Sequence, residues 1–224
     1  MNGLAVDKPR LARRLPLLVQ IENNPEARPP SGLNRADMVI ESPVEGDTTR
    51  FSAVFMCREK VDRPVGTVRS ARYFNIDYWQ QMGVMTLHFG AGGQVLRRFN
   101  HEGLPYANGL RGGWNFFFRR GPLPAPHNVY LDVDAARRRL TSGDLQYLTK
   151  GVGKVRAPFK FADEPKLPKK GHRVDELDVR TASFWRYGWE WDANGDRWLR
   201  SDSVRDASLT GLPSASSTSP CNRS

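Results

Sequence analysis

The sequence predicts a mixed α/β fold, with a layered N-terminal α/β domain and a smaller, incomplete β-rich C-terminal domain. Apolar strand-like runs alternate with helix-like segments through the first 148 residues, and Lys, Pro and Gly then become frequent. Beyond them, aromatic residues alternate along a further strand-like segment. With 224 residues, the chain is long enough for one domain plus a smaller one. The predicted divisions are an N-terminal domain at 1–148, a linker and connecting strand at 149–173, a partial β domain at 174–211, and a disordered tail at 212–224.

The first elements are strands that flank a charged segment. Residues 17–21 are a buried apolar run, and residues 36–40 and 51–56 are two more strand-like segments. The polar residues 41–50 between them predict a loop that holds charged side chains at the ends of strands. In the second of these strands Phe51, Ala53 and Phe55 share one face. Arg50 lies on the other face, so we expect it to point to solvent or to a polar site.

The next elements alternate between helix and strand. Residues 71–81 predict a short helix capped by Ser70 and closed by Gly83. A strand at 84–89, a glycine turn at 90–93 and a short helix at 134–140 follow. A helix start flanked by Arg69 and Arg72 would offer backbone N–H groups and two guanidiniums to an anion. The alternative is that these arginines pair with Glu41 and Glu45 of the charged segment. Both interpretations place residues 66–72 close to residues 41–50.

These patterns give a set of candidate site residues. The candidate ligand-binding residues are Glu41, Glu45, Thr49, Arg50, Arg69, Ser70, Arg72, His127 and Asn128. Two carboxylates in one segment could also act as the acid and base of glycoside hydrolysis, so the candidate catalytic residues are Glu41, Glu45 and His127.

Composition narrows the classes of partner. The net charge is +10, and only 8 of the 34 basic residues are lysine. Arginine favours bidentate contacts to carboxylate or phosphate, so an anionic partner is expected. The charge is dispersed in pairs and triplets without one long basic run, which argues against nucleic acid. The two cysteines and four histidines have no metal-ligand spacing, and we expect neither a metal nor a cofactor.

The aromatic strand near residue 190 has two interpretations. Trp185, Tyr187, Trp189 and Trp191 are spaced by two, so they share one face of a strand, and 192–196 is a hairpin turn. This face could display rings to bases or sugars. Burial in a core or between domains is favoured, because four large aromatic side chains on one strand more often pack than stand exposed.

The order of motifs resembles the YerB-like family of bacterial lipoproteins, a domain of unknown function. The similarity covers residues 18–23, 26–33, 36–37, 41–55, 66–72 and 126–130, and extends over about 3–211 of the sequence. It implies an α/β N-terminal domain, a smaller β-rich C-terminal domain, and an extracytoplasmic protein held to the membrane by a lipid anchor. No catalytic mechanism is implied. Gly46-Asp47 departs from the two glycines typical of the family, which adds a carboxylate beside Arg50.

Both ends depart from the family pattern. Residues 2–6 resemble the opening of the domain without the signal peptide and lipid-modified cysteine expected before it. Residues 206–211 resemble a point inside the second domain, so we expect that domain to be cut short. The expected localisation is extracytoplasmic, or cytoplasmic if the chain is expressed as written.

The leading hypothesis is a non-enzymatic binding domain of the cell envelope for an anionic or glycan ligand, with a protein partner also open. An envelope hydrolase or transferase that uses Glu41 or Glu45 is the first alternative, and a nucleic-acid binder is the second.

Overall fold

A computed structural model describes most of the chain. The described residues are 8–46, 48–152, 154–156, 159, 172, 174–180, 186–195 and 197–202. Trp185, most of the predicted linker and the predicted tail lie outside these residues.

The largest layer is a five-stranded sheet built around a wholly buried strand. Its strands are β1 (Leu17–Glu22), β2 (Met38–Val44), β3 (Thr48–Phe55), β5 (Met85–His88) and β6 (Tyr106–Asn108), in the order β2-β3-β1-β5-β6. β1 pairs antiparallel with β3 and parallel with β5. All six residues of β1 are buried, as the apolar run predicted.

A second, three-stranded sheet packs against one face of this layer. It consists of β4 (Val65–Gly66), β7 (Phe117–Arg119) and β8 (Val129–Leu131), in the order β4-β8-β7. Apolar residues of β1 and β3 on this face join residues of the second sheet and of helix α5 (Val133–Ser142) in the largest buried cluster. Asp132 caps α5 by accepting a hydrogen bond from the Ala135 N–H.

Two helices, α2 (Phe74–Met82) and α3 (Gly93–His101), cover the opposite face of the large sheet. The other helices are α1 (Pro9–Ala12) and α4 (Gly109–Gly112), with short 3-10 turns at Pro25–Ala27, Leu33–Arg35 and Gln146–Thr149. Leu18 and Val54 of the sheet pack against Met82 of α2. Phe99 of α3 is buried in a cluster that also contains Ile76 of α2. The described residues therefore have the mixed α/β architecture that the sequence predicted.

The polar segment at 41–50 is a β-hairpin, and the prediction of a loop there is wrong. β2 continues to Val44 and β3 begins at Thr48, so the turn lies around Gly46, whose φ is 80°. Glu41 is in the middle of a strand, opposite Phe51. Tertiary context explains the difference, because Glu41 and Arg50 of this segment find hydrogen-bond partners in distant parts of the folded chain.

The predicted helix cap at Ser70 is also wrong. α2 begins at Phe74, and no side chain caps it. Residues 69–71 are extended and hydrogen-bond across to β1 and to the glycine turn, with Arg69 N–H donating to Gln20 O and Ala71 N–H to Gly90 O. The predicted end is confirmed, because Gly83 has a φ of 66° and terminates α2 in the left-handed conformation.

The last described strands form a small antiparallel sheet. Its strands are β9 (Glu176–Arg180), β10 (Arg186–Asp192) and β11 (Arg197–Asp202), in the order β11-β10-β9. The predicted hairpin is confirmed by the register of β10 and β11, in which Trp191 lies opposite Trp198. Among the described residues, no helix combines the length and apolar character that crossing a bilayer requires.

Gly109 provides a test of packing in the largest cluster. A Cβ at this position would lie 2.5 Å from Phe117 Cγ and 2.8 Å from Phe89 Cδ2, so two rings would have to move. We expect Gly109→Ala to lower the free energy of unfolding by about 1–3 kcal/mol. The control is Gly93→Ala, where the nearest atom is 3.8 Å away, and which should raise stability by roughly 0.5 kcal/mol. Urea denaturation measures both, and equal effects would contradict the packing described.

Candidate functional site

A buried carboxylate lies at the end of β1. The Glu22 side chain is 1% exposed. Its Oε1 lies 3.2 Å from Arg69 Nε and 3.0 Å from His127 Nδ1, and its Oε2 accepts a hydrogen bond of 3.0 Å from Thr67 Oγ1. A buried charge is tolerated when paired and hydrogen-bonded in this way. Glu22 therefore holds together three groups from two separate parts of the chain.

Arg50 lies on the same face of the sheet as Glu22. The two residues are directly opposite in the pairing of β1 and β3, so their side chains project to the same side. Arg50 is 7% exposed and donates a hydrogen bond of 2.5 Å from Nη1 to Ser70 O. Its Nε is buried and has no hydrogen-bond partner within the described part of the chain. Burial, with the nearby charges of Arg72 and Arg69, lowers the pKa of Arg50 to about 10.

Arg72 completes what we call the arginine cluster, defined as Arg50, Arg69 and Arg72. Arg72 Nε lies 2.7 Å from Glu45 Oε2, and the Glu45 side chain is 74% exposed. A hydrogen bond from its own backbone N–H, followed by Arg72, lowers the pKa of the Glu45 carboxyl. Three guanidiniums thus converge near two carboxylates, Glu22 and Glu45.

The alternative in which Arg69 and Arg72 pair with Glu41 and Glu45 is wrong for Glu41. Glu41 lies opposite Phe51, whereas Ser42 lies opposite Arg50, so Glu41 and the arginine cluster are on opposite faces of the sheet. Arg69 pairs with Glu22 instead. The expected pair of Arg72 with Glu45 is present. The candidate residues that we placed in one site therefore divide between two faces.

Glu41 forms a buried ion pair with Arg200 of β11. Arg200 Nη2 lies 2.7 Å from Glu41 Oε1 and Nε lies 3.0 Å from Oε2, a bidentate arrangement. Thr49 Oγ1 and Asn23 Nδ2 also donate to Oε1, at 2.5 and 3.1 Å. The guanidinium lies over the rings of Phe51 and Tyr187, at 5.5 and 4.8 Å from their centroids. This pair joins the small sheet to the large one.

A cleft of about 360 Å³ lies between β2 and the small sheet, beside this ion pair. Tyr187 and Trp189 form part of its wall, so the aromatic face of β10 turns toward the large sheet. Trp191 packs on Trp198 instead, with ring centroids 5.6 Å apart. The favoured interpretation of this face as a packing surface fits the described residues, while Trp185 lies outside them.

The remaining candidates, Ser70, His127 and Asn128, have structural contacts. Ser70 Oγ donates to Phe89 O at 3.4 Å. His127 is part of the Glu22 group, while Asn128 accepts a hydrogen bond from Arg119 and donates one of 2.9 Å to Leu123 O. Asn128 therefore organises its own turn and shows no contact with the arginine cluster.

The geometry does not favour acid and base chemistry at Glu41 and Glu45. Arg200 occupies both oxygens of Glu41, and a general base needs a lone pair directed at its substrate. Glu45 is exposed, and its lowered pKa makes it a weaker base at neutral pH. Among the described residues, no group of three or more His, Cys, Asp or Glu side chains is placed to hold a metal ion.

Sequence reasoning missed Glu22 and Arg200. Glu22 had a signal, because Gln20 and Glu22 are polar at alternate positions of an otherwise apolar strand. Arg200 had none, since it is one of many arginines and its partner is 159 residues away.

Comparisons with known proteins show one family. Residues 1–146 match the profile described as "Protein of unknown function (DUF3048) N-terminal domain". A protein of Bacillus subtilis (strain 168) described as "Putative lipoprotein YerB" is 33% identical over 138 residues, which are 62% of this chain and 41% of that protein. The crystal structure of the YerB protein from Bacillus subtilis is similar with a TM-score of 0.68 and 25% identity, over 88% of this chain and 64% of the solved one. The chain thus spans less than two thirds of either relative.

The Glu41–Arg200 pair predicts how the small sheet is attached. Arg200→Met leaves the Glu41 charge buried without its guanidinium, so we expect a loss of about 3–5 kcal/mol in the attachment of this sheet. Hydrogen exchange should show β10 and β11 losing protection while β1 and β3 keep theirs. The double variant Glu41→Met/Arg200→Met removes both charges and should regain most of the protection. If β10 and β11 exchange as fast in the double variant as in Arg200→Met, the ion pair is not what attaches the small sheet.

Proposed function

This chain belongs to the DUF3048 family, whose function is unknown, and from that premise we propose that it is a non-enzymatic binding domain of the cell envelope. Its ligand is an anionic group of an envelope glycan or polymer, bound at the arginine cluster. The relative described as a lipoprotein supports an extracytoplasmic location for this chain, with a lipid anchor as the link to the membrane. A protein partner that carries the same anionic group would use the same residues.

The hydrogen bonding of Arg50 carries this proposal. A guanidinium has five N–H donors, and the side chain of Arg50 donates one hydrogen bond to the described residues although it is 7% exposed. Burying donors without partners is costly, so such a donor in a folded protein calls for an explanation. A ligand carboxylate or phosphate would satisfy these donors in the bidentate geometry that arginine favours.

The surrounding charges support an anion as the ligand. Arg69 and Arg72 are each paired with one carboxylate, so among the described residues, which leave out Asp47, the charge of Arg50 is the excess of three guanidiniums over two carboxylates. Burial is the main cause of the lowered pKa of Arg50, and the positive charges of Arg72 and Arg69 lower it further because they disfavour the protonated form. An anion placed here would relieve this repulsion.

Arg50 predicts opposite effects on binding and stability. Its folded-state pKa of about 10 is below the ordinary value of 12.5, so its charge costs stability at neutral pH, which lies below both values. We expect Arg50→Met to raise the free energy of unfolding without ligand by about 1 kcal/mol. The control is Arg137→Met, since Arg137 is also buried with a pKa of about 10, but donates to the carbonyls of Leu15 and Phe55. The charge of Arg137 costs stability in the same way, but Arg137→Met also removes both of these hydrogen bonds and should therefore be less stable than the native chain. In Arg50→Met, Ser70 O keeps Arg72 Nη1 as a donor. Destabilisation by Arg50→Met would contradict the proposal.

Binding itself is tested with galacturonate and inorganic phosphate as probes. We expect calorimetric titration to show that Arg50→Met and Arg72→Ala each weaken binding by about 10- to 100-fold, the value of one charge-assisted contact. Arg69 is left in place because Glu22 needs its charge. The control Arg138→Ala removes an exposed arginine of α5 and should leave binding unchanged. Equal binding by the native chain and Arg50→Met would remove the arginine cluster as the site.

A further inference from the structure

We infer that the ligand is an extended acidic oligosaccharide, which runs from the arginine cluster into a groove between α2 and α3. This inference rests on the proposed function and adds the length and chemistry of the ligand. It assigns a second anion site to Arg97 and Arg98 of α3, and hydroxyl-binding positions to the polar residues between them and Tyr73.

The groove has the size and lining of a ligand site. Its volume is about 600 Å³, within the range of known small-molecule sites. Tyr73, which precedes α2, lines it together with Asp77 and Gln80 of α2 and with Gln94, Arg97 and Arg98 of α3.

The groove and the arginine cluster are formed by neighbouring parts of the chain. Arg72 directly precedes Tyr73, and Tyr73 Oη donates to Gln94 Oε1 across the groove at 3.4 Å. The start of α3 is held beside the cluster, because Ala71 and Ala91 form a bridge. Arg97 extends back toward this end, with Nη1 3.8 Å from the position of a Cβ on Gly93. A chain leaving the cluster past Tyr73 would therefore meet Arg97 next.

The charges in the groove suit a second anionic group. Arg97 has no ion-pair partner in the parts of the chain that the structure describes. Arg98 forms an ion pair with Glu102, with Nη2 2.7 Å from Oε1. Asp77 is the one acidic residue among those that line the groove, against two arginines. Complementary charge of this kind favours a ligand with an anion on successive units.

The uncharged lining suits sugar units between the anions. Gln80 and Gln94 each offer an amide donor and acceptor, and the Asp77 carboxylate accepts from hydroxyls. Tyr73 is 51% exposed, so its ring presents an apolar face and a hydroxyl to the groove. A polymer of phosphate alone has neither the hydroxyls nor the ring faces to use these groups, which is why an acidic oligosaccharide is the ligand inferred.

The test compares galacturonate with its linear trimer and hexamer by calorimetric titration. We expect the native chain to bind the hexamer at least about tenfold more tightly than the monomer, because a second contact on one ligand becomes intramolecular. Arg97→Ala/Arg98→Ala should remove most of that gain. The control Arg111→Ala/Arg138→Ala removes two exposed arginines outside the groove and should keep the gain. Thermal melts confirm that all variants fold.

The outcomes separate the two proposals. If the monomer binds, and Arg97→Ala/Arg98→Ala still binds the hexamer more tightly than the monomer, the groove is not part of the site. The arginine cluster then remains as the site. If neither galacturonate nor its hexamer binds, the proposed function is overturned as well. Inorganic polyphosphate tests whether the groove recognises sugar units. Tyr73→Ala should weaken the binding of the hexamer and leave the binding of polyphosphate unchanged. Equal weakening of both, or tighter binding of polyphosphate or single-stranded DNA than of the hexamer, assigns the groove to a different polyanion.

Discussion

The buried carboxylate of Glu22 is the constraint on which the arginine cluster depends. β1 is buried along its whole length, so a charge at its last position has to be neutralised by neighbouring segments. Thr67 and Arg69 come from one segment and His127 from another, and each directs a polar atom at this carboxylate. The same segment is fixed by backbone hydrogen bonds from Glu22 N–H to Thr67 O and from Arg69 N–H to Gln20 O. Arg69, Ser70 and Arg72 thus occupy their places because Glu22 does.

The two faces of the large sheet carry different kinds of charge. On the face with Phe51, the charges of Glu41 and Arg200 satisfy each other in a bidentate pair and attach the small sheet. On the face with Glu22, three guanidiniums gather near two carboxylates, and Arg50 is left with few hydrogen bonds. A satisfied pair stabilises an arrangement, whereas an unsatisfied buried donor is what a binding site retains for its ligand. The excess charge of the second face is therefore the physical basis of the proposed function.

Arg50 and Arg137 show why burial alone does not identify a functional arginine. Burial lowers the pKa of both to about 10. Arg137 uses its guanidinium to join the carbonyls of Leu15 and Phe55, so its charge has a structural role. Arg50 bonds to one carbonyl and lies near two other arginines. The number of hydrogen bonds that each guanidinium donates to the described residues distinguishes the two.

The sequence by itself determined the mixed α/β class, the buried strand at 17–21, the C-terminal hairpin and the segments that hold the arginine cluster. These depend on local patterns of two and 3.6 residues, on turn residues, and on motifs shared with the family. It did not determine that 41–50 is a hairpin, that Ser70 caps no helix, or that Glu41 and Arg50 face opposite sides. Tertiary structure decided these points, because strand register places each side chain on one face or the other, and a shift of one residue reverses that choice. Register and the partners of Glu22 and Arg200 depend on contacts between distant parts of the chain, which no local pattern encodes.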